Sequence, residues 1–152
     1  MSGGDDIPVA VDVAPGGDGY RLQDQVGFIL RKAHQRHVAI FAAQIGDLTP
    51  PQFAALARLR DVGETSQNQL GSMVAMDAAT IKGVIDRLKA RGLVALSRHA
   101  GDRRRLMVSL TPEGREAIER LVPLAKAITA ETLAPLTARE AETLTRLLSK
   151  IA

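Results

Sequence analysis

The residues with the greatest chemical potential in this chain are bases set beside small polar side chains. Asp102-Arg103-Arg104-Arg105 places three guanidiniums in a row directly after Gly101. Guanidinium forks match phosphate oxygens and guanine edges, and a thin cationic loop fits a narrow, strongly negative minor groove. Asp102 would oppose a polyanion unless it pairs with a neighbouring arginine and orients it, which is the role expected here. Upstream, Asp77-Ala78-Ala79-Thr80 followed by Lys82-Gly83 carries no bulky side chain. Such a tip can enter a major groove, with Ala79 and Gly83 leaving room, Thr80 and Lys82 reaching base edges or phosphates, and Arg87 further along reaching a phosphate. A third group is His34, Arg36 and His37. His37 reads either as a hydrogen-bonded interface histidine or, helped by Arg36 or His34, as a donor to a bound carboxylate. His34 and His37 stand three residues apart with no further ligand joining them, so no metal and no cofactor are expected.

The elements that must position these residues follow from periodicity and caps. Leu22, Val26, Ile29, Ala33, His37, Ile40 and Gln44 step by three and four, which predicts a helix of about 25 residues from Tyr20 to Gly46. Its apolar stripe is too long for so small a domain to cover alone. Thr49 with Pro50 and Pro51 starts a second helix bearing Phe53, Leu56, Ala57 and Leu59 or Arg60, which Gly63 ends. Ser66 caps a third over 67–75, with Leu70, Met73 and Val74 inward. Asp77 caps a fourth over 78–91, with Ile81, Val84, Ile85 and Leu88 inward. After Gly92 the period changes: 93–96 and 106–110 read as strands around the charged loop 97–105. Thr111 and Pro112 open a helix to about Thr132, with a possible kink at Pro123. Thr137, with Glu140 at capping-box spacing, opens a last helix to Ile151 whose stripe is Ala141, Leu144, Leu147, Leu148 and Ile151. Helix, short helix, helix and two-stranded hairpin in this order make a mainly α chain with a small β-wing, a winged helix-turn-helix.

Composition bounds the function. The chain has 152 residues, 45% hydrophobic and only 3% aromatic, an Ala- and Leu-rich balance that favours helices. No cysteine is present, so thiolate catalysis, cysteine redox sensing and Cys-ligated metals are excluded. No cationic-then-apolar leader and no long apolar run is visible, so a cytoplasmic protein with no membrane partner is expected. Residues 1–19 hold four aspartates, no base, five glycines and two prolines, and read as a disordered arm. The rest of the chain is therefore strongly basic, with arginines outnumbering lysines 15 to 5. Between Asp77 and Arg105 eight bases stand against three acids, so most of the positive excess lies on the candidate interface.

Asp102, Arg104, Leu110, Thr111 and Gly114 fill every fixed position of a pattern, Asp-x-Arg, five residues, Leu-Thr-x-x-Gly, and the segment resembles the signature of the multiple antibiotic resistance regulator (MarR) family. Leu48-Thr49-Pro50-x-Gln52-Phe53 and the run from Asp77 to Val94 are similar to that family's second helix and recognition helix, and the resemblance spans about residues 20–151. It implies one domain over 20–152, with 20–46 and 111–152 as dimerisation helices and 49–110 as the DNA-binding lobe. It implies a homodimer on a pseudo-palindromic double-stranded operator, commonly acting as a repressor, with Arg104 as the minor-groove reader. The run from Tyr20 to His37 resembles members that control aromatic acid breakdown, which implies an aromatic carboxylate or its coenzyme A thioester as effector. Three rivals stand against this. An enzyme would need a triad, a phosphate-cradling loop or a metal set, and none is visible. An RNA-binding winged helix would want aromatic stacking surfaces. A winged-helix protein-interaction module without an effector is the remaining alternative, though it has no need of an arginine wing.

Overall fold

The computed structural model describes residues 17–152, so the arm expected over 1–19 lies outside the described residues up to position 16. The chain divides into two compact units, one ending at Gln35 and one from Arg36 to Ala152. In the first, a single 3-10 turn, Leu22–Asp24, precedes helix α1, Val26–Gln44, whose first half belongs to this unit. Arg21 and Gln25 are extended, so the helix expected from Tyr20 starts six residues later. Arg21 lies 3.5 Å from Asp24, and the Lys32 ammonium sits 5.8 Å from the centre of the Phe28 ring. Val26 and Ile29 remain exposed, as a stripe without a cover within one chain requires.

The second unit holds the rest of α1, then α2 (Pro50–Val62), β1 (Thr65–Ser66), α3 (Gln67–Met73), α4 (Ala78–Ala90), β2 (Val94–Arg98), β3 (Leu106–Leu110), α5 (Pro112–Leu133) and α6 (Ala138–Ile151). Local chemistry sets these boundaries. Thr49 and Gln52 form a reciprocal capping box before Pro50. Ser66, Asp77 and Thr111 each accept the amide three residues on, and Thr137 does so in a second capping box with Glu140. α5 runs through Pro123 as one helix.

Leu56, Leu59, Leu70, Ile81, Ile85, Leu88, Val108, Ile118 and Leu121 make the centre of the core, with Phe41 of α1 and Ile45 just after it packed into the same cluster. Each fully buried aliphatic side chain contributes about 1.5–3 kcal/mol. Met73, expected inward, is 42% exposed, because α3 ends there and the chain turns away. That turn passes through Ala75 in a left-handed conformation, φ 56°. It lets α3 and α4 pack closely: a Cβ on Gly71 would lie 3.0 Å from the Met76 carbonyl and 3.1 Å from Ile81. The sheet has the order β1-β3-β2, all antiparallel, with Thr65 opposite Val108 and Leu96 opposite the same residue on the other side. β1 was not expected from the sequence. It pins the foot of the wing to the start of α3. The exposed side chains of α6 include Leu144, Leu147 and Ile151, and no α6 residue is buried.

Candidate nucleic-acid interface

The recognition tip is built by the α4 cap. The Asp77 carboxylate accepts the Thr80 amide at 2.7 Å. The Thr80 hydroxyl, first, and that amide, second, hold the Asp77 carboxyl below the ordinary carboxylate range. Thr80 therefore shares its hydroxyl between its own cap and any base it meets. Ala79, Thr80, Lys82 and Arg87 are exposed and Gly83 is half-buried, while Ile81, Val84, Ile85 and Leu88 fix the other side of the helix in the core. The Arg87 guanidinium folds back over Gly83, with Nη1 3.9 Å from where a Cβ would sit. Lys82 pairs with Asp86 at 2.8 Å, one turn along. The lysine at i−4 on the same helix takes this carboxylate because side chains four apart are neighbours. Arg91 is turned away, its guanidinium donating to the Asp47 carbonyl and carboxylate.

The wing tip is a tight backbone turn with residues 100–105 exposed. Asp102 does not pair with a guanidinium as expected. Its carboxylate accepts the backbone amide of Arg104 at 3.0 Å, a local turn closed by the short acid side chain. Orientation of Arg104 thus comes through its backbone, which leaves its guanidinium outside this interaction. The Arg98 guanidinium donates to the Arg103 carbonyl at 3.0 Å. Arg105 reaches Gln69 of α3 at 3.5 Å. Gln69 was missed in the sequence: its carbonyl oxygen accepts from Thr65 at 3.1 Å and Ser66 at 3.2 Å, beside a cleft of 390 Å³ that Arg104 and Arg105 also line. Its place three residues after the Ser66 cap was the available signal.

Gly114 explains itself in the structure. A Cβ there would collide with the Leu93 carbonyl, and Thr111 locks the same junction by donating its hydroxyl to the Gly92 carbonyl at 2.6 Å and its amide to Leu93 at 3.2 Å. The entry to the wing's first strand, β2, is thereby bolted to the start of α5.

The three residues of the histidine group on α1 have different surroundings. His34 is exposed on α1 in the first unit. In the second unit Arg36 donates to the carbonyls of Thr132 at 2.6 Å and Glu131 at 2.9 Å, satisfying the end of α5. His37 is half-buried, with Nδ1 2.8 Å from the Thr132 hydroxyl. It lines a cavity of 180 Å³ with Phe41, Pro50, Phe53, Ala125, Ile128 and Thr129. Phe41 and Phe53 meet edge to face at 6.0 Å. Among the described residues no group of three His, Asp or Glu could hold a metal, and no described helix is long and apolar enough to cross a membrane.

A buried three-helix core that presents one slim cationic helix and one arginine wing is a winged helix-turn-helix DNA-binding lobe. Comparison with known proteins gives the family. The MarR family model matches residues 48–106. The transcriptional repressor NicR of Pseudomonas putida is 45% identical over 87% of this chain and 85% of its own length. A probable transcriptional regulator from Pseudomonas aeruginosa is 53% identical, with a TM-score of 0.85 over 87% of this chain and all of that one. BpsR of Bordetella bronchiseptica, whose DNA binding is regulated by 6-hydroxynicotinic acid, is 46% identical, with a TM-score of 0.84 over 87% of this chain and 96% of its own. The chain belongs to the MarR family; it is a DNA-binding transcriptional regulator and not an enzyme.

Proposed function

We propose that this protein is a cytoplasmic repressor that binds a pseudo-palindromic operator as a homodimer and leaves it when a small aromatic acid binds. Residues 20–46 and 111–152 supply the dimer helices and 49–110 the reading lobe. Ala79, Thr80, Lys82 and Gly83 enter the major groove, Arg87 meets a phosphate, and Arg103, Arg104 and Arg105 serve the minor groove, with Asp102 setting the turn beneath Arg104. The observation that carries this reading is the two-faced lobe: the inward side of α4 is buried while its polar edge and the whole wing tip are exposed.

The cavity beside His37 supports the effector. Its walls are aromatic and aliphatic, its size suits one ring, and His37 Nε2 is left to meet a carboxylate or a ring hydroxyl because Nδ1 is engaged by Thr132. The regulation of BpsR by 6-hydroxynicotinic acid, with NicR's similarity beside it, points to hydroxylated pyridine or benzene carboxylates. An aryl-CoA would have to leave its nucleotide part outside so small a space. Release follows if the acid favours a lobe separation that no longer matches the operator.

The test is a fluorescence anisotropy titration of an operator duplex, recovered by sequencing genomic fragments that the purified protein retains. Added 6-hydroxynicotinate should weaken binding, and His37→Ala should blunt that release. A protein that binds the duplex equally with and without any aromatic acid would leave a regulator without this effector.

A further inference from the structure

We propose that His99 is a positioning residue for DNA binding, holding the wing tip in the turn that aims Arg104; this rests on the wing reading given above. The imidazole Nδ1 accepts two backbone amides, Gly101 at 3.0 Å and Asp102 at 3.2 Å. Amides only donate, so Nδ1 carries a lone pair and the ring proton sits on Nε2. Asp102, fixed in this way, turns its carboxylate onto the Arg104 amide at 3.0 Å. The His99 amide donates to the Arg105 carbonyl at 3.0 Å, and the Arg105 amide to the Asp102 carbonyl at 3.1 Å, which closes the tip. Gly101 lets the ring lie this close, since a Cβ there would stand 3.3 Å from its Cε1. His99 is half-buried in a loop whose following six residues are exposed. The wing therefore carries its own anchor, one ring whose single acceptor nitrogen takes two of the loop's backbone donors. A tip ordered before it meets DNA does not lose that freedom on binding.

His99→Ala, His99→Asn and Arg104→Ala are compared with the unaltered protein by anisotropy on the operator duplex. Asparagine presents Oδ1 where histidine presents Nδ1. His99→Ala should bind about tenfold more weakly, two neutral hydrogen bonds being lost, and His99→Asn should stay within about threefold. Should His99→Ala misfold, His99→Phe, which keeps a ring and has no acceptor nitrogen, carries the test and should bind about tenfold more weakly. Normal binding by His99→Ala or by His99→Phe beside a weakened Arg104→Ala overturns the proposal alone. Normal binding by Arg104→Ala overturns the wing reading and this proposal with it.

Discussion

The Lys82 ammonium rests 2.8 Å from the Asp86 carboxylate, and both side chains are more than half exposed. Such a pair contributes under about 1 kcal/mol, so a phosphate can readily displace the carboxylate. Asp86 is then an acid left facing DNA. Asp86→Asn should tighten operator binding about threefold at fixed salt, because it frees Lys82 and removes a repulsion; anisotropy showing no gain would take this turn of α4 out of the interface. Asp77 works in the opposite direction, on the helix itself. Its carboxyl is held below the usual range by the Thr80 hydroxyl and amide, so the ionised cap stabilises the folded state fully above the unfolded value, near pH 4. That contribution is lost as pH falls through the lower folded value. Asp77→Asn keeps an acceptor but cannot ionise. The difference in melting temperature between the two proteins should be flat from about pH 5 to 8 and shrink below about pH 4. A difference that instead grew in acid would contradict the cap assignment.

At the scale of elements, Gly114 decides how the wing joins α5. Alanine is the better helix former by about 1 kcal/mol, yet its methyl would strike the Leu93 carbonyl, which is backbone and cannot swing aside. The clash wins. Gly114→Ala should lose about 2–4 kcal/mol of stability by urea unfolding, and a variant as stable as the original would mean the junction is looser than it looks. The caps that start α2, α3, α4, α5 and α6 were legible in the sequence because their chemistry is complete within four residues. The wing strands were legible from the change of period after Gly92. β1 was not, since two residues carry no alternation and only β3, forty residues away in sequence, makes Thr65 and Ser66 a strand. Met73 misled because a helical stripe cannot show that the helix has ended. The candidate interface divides the same way. Arginine density marked the wing, but the carboxylate of Asp102 and the ring of His99 face backbone amides, and side-chain inventories pair acids with bases first.

Leu144, Leu147, Leu148 and Ile151 remain exposed along α6, and burying such a stripe contributes about 25 cal/mol per Å² of apolar surface covered. A second copy is the partner that the family supplies and that a palindromic operator demands. The proposed dimer has a consequence for salt that neither lobe has alone. Affinity falls by ~0.9 log units per tenfold rise in salt for every phosphate neutralised. Two lobes neutralise twice as many phosphates as one, so the slope of log K against log salt counts lobes on the duplex. Leu147→Glu puts a charge in the middle of the stripe without touching α4 or the wing. It should sediment as a monomer, bind the operator far more weakly and show about half the salt slope of the unaltered protein. The lobe should keep its own fold, because no α6 residue belongs to the buried core. A variant that sediments as a monomer yet retains the full slope and affinity would mean that one lobe reads the whole site; a variant that stays dimeric would move the interface away from α6.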